Sequence, residues 1–168
     1  MLKLFLCAAI AVSLLGTPAH ASEKASKARQ EEVAKRGAEV MPFSLERTLH
    51  IFTKTKGGGV QQVIVKDPSD TRQIKLIREH LSMISKEFAQ GNFSDPASIH
   101  GSNMPGLKEL EKARPGQLRI EYRELPDGAQ IAYSSASSDL IDAIHRWFDA
   151  QLADHAGALP GRPGRNRQ

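Results

Sequence analysis

The sequence has little cysteine and few aromatic residues, and both shortages exclude kinds of protein. Its one cysteine, Cys7, lies in the apolar N-terminal run, so the rest of the chain can form neither an internal disulfide nor a thiol centre. Aromatic residues make up only 5% of the chain, which argues against a nucleic-acid-binding surface built on base stacking. Stability must therefore come from an apolar core.

The N-terminus carries the three parts of a secretory signal. Lys3 supplies a positive charge, residues 4–15 form an apolar run, and Ala19-His20-Ala21 has the small-x-small pattern of a cleavage site. The run is too short to span a bilayer. We therefore predict a signal peptide over residues 1–21, no transmembrane segment, and a mature protein in the periplasm or outside the cell.

The positive charge of the chain is concentrated at its two ends. Without Lys3 and the three arginines near the C-terminus, 19 Lys and Arg residues stand against 19 Asp and Glu residues. The tail, residues 157–168, contains glycine, proline and arginine and has nothing to bury, so we predict that it is disordered. A neutral body gives no electrostatic footprint for nucleic acid.

Two similar segments make up most of the remaining sequence. In residues 48–90, two strand-like runs surround three glycines and precede a helix with Asp67 as its cap. Residues 117–156 repeat this order, with a turn at Pro126-Asp127-Gly128 and a helix that begins at Ser138. The predicted apolar stripes of the two helices are Ile74, Ile77, Leu81, Ile84 and Phe88, and then Ile141, Ile144, Phe148 and Leu152 with Trp147 beside them.

Two β-β-α units predict one α+β domain over residues 46–156, a four-stranded antiparallel sheet with two helices on one face. Residues 22–45 precede it as an exposed helix, ending near Gly37, and an apolar patch at 40–45. We align the two units on Gly59 and Gly128. This register turns Leu49, Ile51, Val60 and Ile64 toward the helices and His50, Phe52, Val63 and Val65 to the open face of the sheet. We expect patch 40–45, the connector between the units, a protein partner or a second copy of the chain to cover that face.

The connector, residues 91–116, is long for a compact domain, and such loops are often functional. We predict one short helical turn within 93–101 and a short charged helix that ends near Ala113. Four apolar residues are expected to pack onto the open face of the sheet, namely Phe93, Ile99, Met104 and Leu107.

Histidines are the candidate metal ligands, although they form no standard metal motif. Five follow the signal: His50, His80, His100, His145 and His155. In an exported protein, imidazole with methionine suits copper, and imidazole with aspartate suits zinc. The predicted fold allows two groupings. One is His50 with His100 and Met104 across the open face, and the other is His80 with His145 between the helices, where Asp149 can orient the ring of His145.

Catalysis has fewer indications in the sequence. Gly57-Gly58-Gly59 lacks the Lys-Ser/Thr that follows a phosphate loop, and no nucleophile elbow or dinucleotide fingerprint is present. We therefore predict a small periplasmic binding or accessory protein. Within that class, the second possibility is a protein that binds a transition metal, copper or zinc, through His and Met. The alternative is a small hydrolase or transferase with its site under the connector, around His100.

Several segments together resemble one protein family. They are residues 36–43, 77–81, 93–107 and 145–155, with His50 and Gly58-Gly59-Val60-Gln61, within about residues 30–155. The chain resembles a small family of exported bacterial proteins whose members often bear the name aspartate carbamoyltransferase. True carbamoyltransferases have two doubly wound domains, about twice this length, and a Ser-x-Arg-Thr loop, and this chain has neither. The resemblance therefore implies no catalytic residue here.

Overall fold

The computed structural model describes residues 25–155, so the predicted signal peptide and the basic tail lie outside the described residues. The elements in chain order are α1 (Lys27–Val40), a 3₁₀ turn (Leu45–Arg47), β1 (Thr48–Thr55), β2 (Gly58–Val65), α2 (Thr71–Ala89), α3 (Ser94–His100), α4 (Leu107–Glu111), β3 (Arg119–Leu125), β4 (Gly128–Ser134) and α5 (Ser138–Asp154). Within this range, none of the helices has the length and apolar character needed to cross a membrane.

The four strands form one antiparallel sheet in the order β1-β2-β4-β3, so the two hairpins meet through β2 and β4. Helices α2 and α5 lie on one face of this sheet. Helix α2 packs mainly on β3 and β4, and α5 packs on β1 and β2, so each helix covers the hairpin of the other unit. The predicted α+β architecture, with two hairpin-helix units, is confirmed.

The register of the first hairpin is the opposite of the predicted one. Phe52 and Val63 are buried, and the ring of Phe52 packs edge-on against Phe148 of α5, with ring centroids 5.1 Å apart. Leu49, predicted to face inward, is 37% exposed. Strand residues that share the face of Phe52 and Val63 are Thr48, His50, Gln61 and Val65, whereas Leu49, Ile51, Val60 and Ile64 lie on the open face. The helices therefore cover Phe52 and Val63, and no additional cover is needed for them.

This error comes from aligning the two units one residue out of step. Gly58, not Gly59, begins β2 as Gly128 begins β4. A Cβ on Gly58 would lie 2.1 Å from the carbonyl oxygen of Tyr133, and one on Gly128 would lie 2.1 Å from that of Val63. Each glycine thus lets its strand approach the strand of the other unit. Because strand side chains alternate between faces, a shift of one residue turns the whole hairpin over.

Equivalent hydrogen bonds tie each helix to the hairpin it covers. On α2, Arg78 donates from Nη2 to the carbonyl of Leu125 (2.6 Å) and from Nε to that of Gly128 (3.2 Å), the last residue of β3 and the first of β4. On α5, His145 Nε2 lies 3.0 and 2.9 Å from the carbonyl oxygens of the last residue of β1 and the first of β2. Because both acceptors are carbonyls, Nε2 of His145 carries the proton. The internal repeat therefore extends from the strands to the contacts between helix and hairpin.

Two helix ends differ from the sequence prediction. Helix α2 is capped by Asp70, whose carboxylate accepts from the backbone N–H of Gln73 at 3.3 Å, while Asp67 accepts instead from the N–H and hydroxyl of Ser69. Helix α1 continues to Val40, beyond Gly37, because Gly37 is buried against the side chain of Leu45 and serves as a contact rather than as a helix end.

The connector packs on the helices instead of on the open face of the sheet. Phe93 stacks on Phe88 of α2 at 4.5 Å between ring centroids and meets Trp147 of α5 edge-on at 5.8 Å. A Cβ on Gly106 would lie 2.1 Å from the carbonyl oxygen of Ala143, so the start of α4 lies directly against α5. The two predicted short helices are present as α3 and α4. The connector thus forms a third layer, outside α2 and α5.

Candidate functional site

Four histidines from four parts of the chain meet on the inner side of β1. They are His50 on β1, His80 on α2, His100 at the end of α3 and His155 just after α5, and we call them the histidine cluster. The ring centroids of His50 and His155 are 5.5 Å apart, and those of His100 and His155 are 5.1 Å apart. Phe43 packs against His50 and His80, with ring centroids at 5.8 and 5.6 Å.

The cluster exists because of the register of β1 and the position of α3. His50 shares the inner face of β1 with Phe52, so its ring points into the layer that holds the helices. His80 lies on the buried side of α2, and α3 ends at His100 beside the last turn of α5. The patch at 40–45 brings Phe43 between two of the rings. The patch is therefore part of the cluster and does not cover the open face.

His100 is oriented by a carboxylate that an arginine holds in place. Its Nδ1 lies 2.8 Å from Oδ2 of Asp154, and its side chain is only 2% exposed. Arg29 of α1 donates from Nε to Asp154 Oδ1 (3.2 Å), from Nη2 to Oδ2 (2.9 Å), and from Nη2 to the backbone carbonyl of His100 (2.6 Å). Because the carboxylate accepts the Nδ1 proton, Nε2 of neutral His100 is left with its lone pair.

Burial keeps the histidine cluster neutral. Burial is the largest cause and neighbouring histidines add to it; the pKa of His50 is lowered to about 3 and that of His155 to about 4. Burial also lowers the pKa of His80 and of His100, although Asp154 acts in the opposite direction on His100. For Asp154, burial alone would raise the pKa, but hydrogen bonds from Arg29 and His100 outweigh it and the pKa is lowered. At neutral pH the site thus combines neutral imidazoles with one paired carboxylate.

A small cavity of about 30 Å³ borders all four rings of the cluster, and Gln61 and Trp147 also line it. Three buried ring nitrogens at this cavity have no hydrogen-bond partner within residues 25–155. They are Nε2 of His50, Nε2 of His80 and Nε1 of Trp147. Buried polar atoms normally have a partner, so three together mark a place that a ligand can occupy.

Two open clefts reach the cluster from outside. The first, about 470 Å³, lies between α1 and the start of β1 and has His50, Asp154 and His155 among its lining residues. The second, about 750 Å³, lies under residues 101–105 of the connector and is lined by Arg29, His100 and Asp154 as well. Solutes can therefore approach the imidazoles from both sides of Asp154.

The structure brings together two members of the first predicted metal grouping and separates the two members of the second. His50 and His100 come together, but Met104 lines only the second cleft, on the outer side of His100. His80 joins His50 and His100 and is separated from His145, which is bonded to the first hairpin. Among residues 25–155, the side chains as they stand place no three His, Cys, Asp or Glu groups so that they could hold a metal ion. No ion site is thus fully formed.

His155 was absent from the predicted groupings, and the sequence held only one weak signal for it. It follows His145 after nine intervening residues, a spacing that fits no common metal motif. Its role depends on the long-range contact of α5 with α1 and α3, which local sequence pattern does not specify. Arg29 and Asp154 were missed for the same reason, since their bond spans 125 residues.

Comparison of the chain with protein-family models, with curated proteins and with solved structures finds no match.

Proposed function

We propose that this protein is a small exported binding protein that holds a transition metal ion, zinc or copper, on the imidazoles of His50, His100 and His155. The observation that carries the proposal is the row of three neutral rings in contact, one of them already oriented by the carboxylate of Asp154. Export is part of the proposal because residues 1–21 have the pattern of a secretory signal.

Ring spacing supports this ligand set. Two imidazoles bound to one tetrahedral ion, with nitrogen–metal bonds near 2.0–2.1 Å, have ring centres roughly 5 Å apart. The His50–His155 and His100–His155 separations, 5.5 and 5.1 Å, match that spacing. The ring nitrogens need to rotate toward a common point, and His155 lies beyond the last residue of α5, where rotation disturbs the helix least.

The surroundings of the rings also suit a metal ion. Histidine ligands bind as neutral imidazoles, and burial keeps these rings neutral. Metal-bound histidines usually donate their second ring N–H to a carboxylate, as His100 does to Asp154. Three neutral nitrogen ligands suit Zn²⁺ and Cu²⁺, with Cu²⁺ the tighter of the two. Such a set leaves a fourth position for an exogenous ligand.

The test is a titration of untagged, chelator-treated protein with Zn²⁺ and Cu²⁺ by calorimetry. We expect one site per chain with a dissociation constant below a micromolar, and at least a tenfold loss of affinity in His50→Phe and in His100→Asn. His145→Asn is the matched control, because that histidine is outside the cluster, and it should bind like the unchanged protein. Binding no tighter than micromolar, or equal losses in all three variants, would contradict the proposal.

A second candidate is a small hydrolase or transferase with His100 as general base. One observation favours it. The His100–Asp154 pair, with Nε2 unprotonated, adjoins the 750 Å³ cleft under the connector, which Ser102 also lines. A screen of ester and phosphoester substrates tests it. Turnover that His100→Asn abolishes, in metal-free protein, would favour the enzyme over the binding protein.

A further inference from the structure

Two residues that line the cavity beneath the histidine cluster each carry a buried ring nitrogen without a hydrogen-bond partner. They are His80, 4% exposed, with Nε2, and Trp147, 1% exposed, with the indole N–H of Nε1. The indole nitrogen can only donate a hydrogen bond, whereas Nε2 of a neutral imidazole can accept one. A single occupant that satisfies both must accept from Trp147 and donate to His80.

The volume of the cavity limits which molecules can occupy it. The cavity volume of about 30 Å³ leaves room for at least one water molecule and little more. A water molecule is stable inside a protein where it finds two to four polar partners, and Nε2 of His50 offers a second acceptor when no ion is bound. An apolar occupant would leave all three nitrogens unpaired, and an unpaired buried polar group is unfavourable.

We propose that this cavity is a binding site for one water-sized hydroxylic molecule, water in the resting protein, held between the indole N–H of Trp147 and Nε2 of His80. The molecule fixes the tautomer of His80, whose proton then lies on Nδ1. The indole nitrogen of Trp147 carries a proton and has no lone pair to give, so it offers no ligand to a cation. A metal ion bound by His50, His100 and His155 and a hydroxylic molecule bound by Trp147 and His80 would thus occupy different places.

The test uses the only tryptophan of the chain as its reporter. In chelator-treated, nitrogen-15-labelled protein, magnetisation transfer from water to the indole N–H of Trp147 should reveal a bound water with a residence time longer than nanoseconds. His80→Leu removes an acceptor and should abolish the transfer. Ser85→Ala removes another buried polar group of α2, whose hydroxyl bonds to Ser82, and should leave the transfer unchanged.

A high-resolution crystal structure of the chelator-treated, unchanged protein gives a measurement that needs no variant. We expect one oxygen within about 3.2 Å of both Nε1 of Trp147 and Nε2 of His80. An empty cavity there, or transfer that persists in a folded His80→Leu protein, would overturn the inference. Because both experiments use metal-free protein, their outcome is separate from that of the metal titration.

Discussion

The two β-β-α units share one backbone plan but differ in what they place on the inner face. We call residues 48–90 unit one and residues 117–156 unit two. In unit two, Ile120 and Ile131 are apolar strand residues that face the helices. Gly58 matching Gly128 makes His50 and Gln61 their counterparts in unit one. The helices can be aligned on Arg78 and His145, the residues that bond to the hairpins. Two residues further along, unit one has His80 and unit two has Trp147. His50, Gln61 and His80 thus lie at positions where the two units differ in sequence.

The comparison of the two units distinguishes residues that stabilise the fold from residues that form the candidate site. Positions that agree in both units, such as the glycines that begin β2 and β4, serve the architecture. Positions that are apolar in one unit and histidine in the other carry a desolvation cost that packing alone does not require. Function is the simplest reason for a chain to bear that cost.

The largest expected effect comes from the glycines on which the two units agree. Gly58→Ala should lower the free energy of unfolding by ~3 kcal/mol or more, because its Cβ would overlap the carbonyl of Tyr133 and its φ of 147° disfavours alanine. Gly128→Ala should cost a similar amount through overlap with Val63. Urea denaturation measures both.

Gly57→Ala is the matched control for the glycine pair, because a Cβ there meets nothing within 4 Å. It should change the free energy of unfolding by less than about 0.5 kcal/mol. Comparable losses at Gly57 and Gly58 would contradict the equivalence of the two strand starts.

The next effect is a dependence of stability on pH that the buried histidines of the cluster should confer. The folded pKa of His50 is about 3 and that of His155 about 4, both below the unfolded value near 6.5. The unfolded chain therefore binds more protons between these limits, and stability falls as the pH drops from 6.5 toward 4. We expect metal-free protein to lose stability on the order of a few kcal/mol between pH 7 and pH 4.

His50→Ile, which installs the residue of unit two, should remove part of that loss. The difference in unfolding free energy between pH 7 and pH 4 should shrink by roughly 1–2 kcal/mol. Denaturation curves at pH 7, 5 and 4 measure it, and parallel pH profiles for the two proteins would show that His50 titrates like an exposed histidine.

A smaller effect is expected where α1 joins the cluster. Arg29→Gln leaves the carboxylate of Asp154, only 13% exposed, without its cation and should cost about 1–2 kcal/mol. It should also raise the pKa of His100, because the arginine charge lowers it, whereas Asp154→Asn should lower that pKa. Proton NMR titration of the His100 ring separates the two variants. Shifts in the same direction would contradict the contact geometry.

The smallest effects should distinguish the two helix-to-hairpin bonds. Arg78→Ala removes two hydrogen bonds from a charged donor and should cost about 1–2 kcal/mol. His145→Ala removes a single N–H that is shared between the carbonyls of Thr55 and Gly58. It should lower the free energy of unfolding by about 1 kcal/mol or less. Thermal denaturation measures both. A larger loss at His145 would show that the first hairpin depends more on its helix.

Local pattern was sufficient to predict most of the elements. The stripe of α2, from Ile74 to Phe88, is buried as its spacing of three and four residues implies. Both hairpins and the order of the units followed from turn residues and alternation. The register of the first hairpin did not, because Leu49, Ile51 and Ile64 are as apolar as the residues that are buried. Three consecutive glycines gave no indication of which one begins β2.

The histidine cluster was only partly predictable, for a physical reason. His50 and His100 were recognised as candidates by residue type, but the wrong register put His50 on the open face. The contacts of Arg29, Asp154 and His155 depend on how α1, α3 and α5 meet, and those contacts are set by tertiary packing. Sequence periodicity describes one element at a time and does not specify such meetings.

The bond between Arg29 and Asp154 also has a consequence for the order in which the molecule assembles. It joins residues 125 positions apart, close to the two ends of the described chain, where the backbone N–H of Ala25 also donates to the carbonyl of Ala153 at 3.1 Å. Closing so long a loop is entropically costly, so these contacts should form late in folding. The imidazoles then meet only after the sheet and both large helices exist, and an emerging chain has no complete site until its last helix has docked.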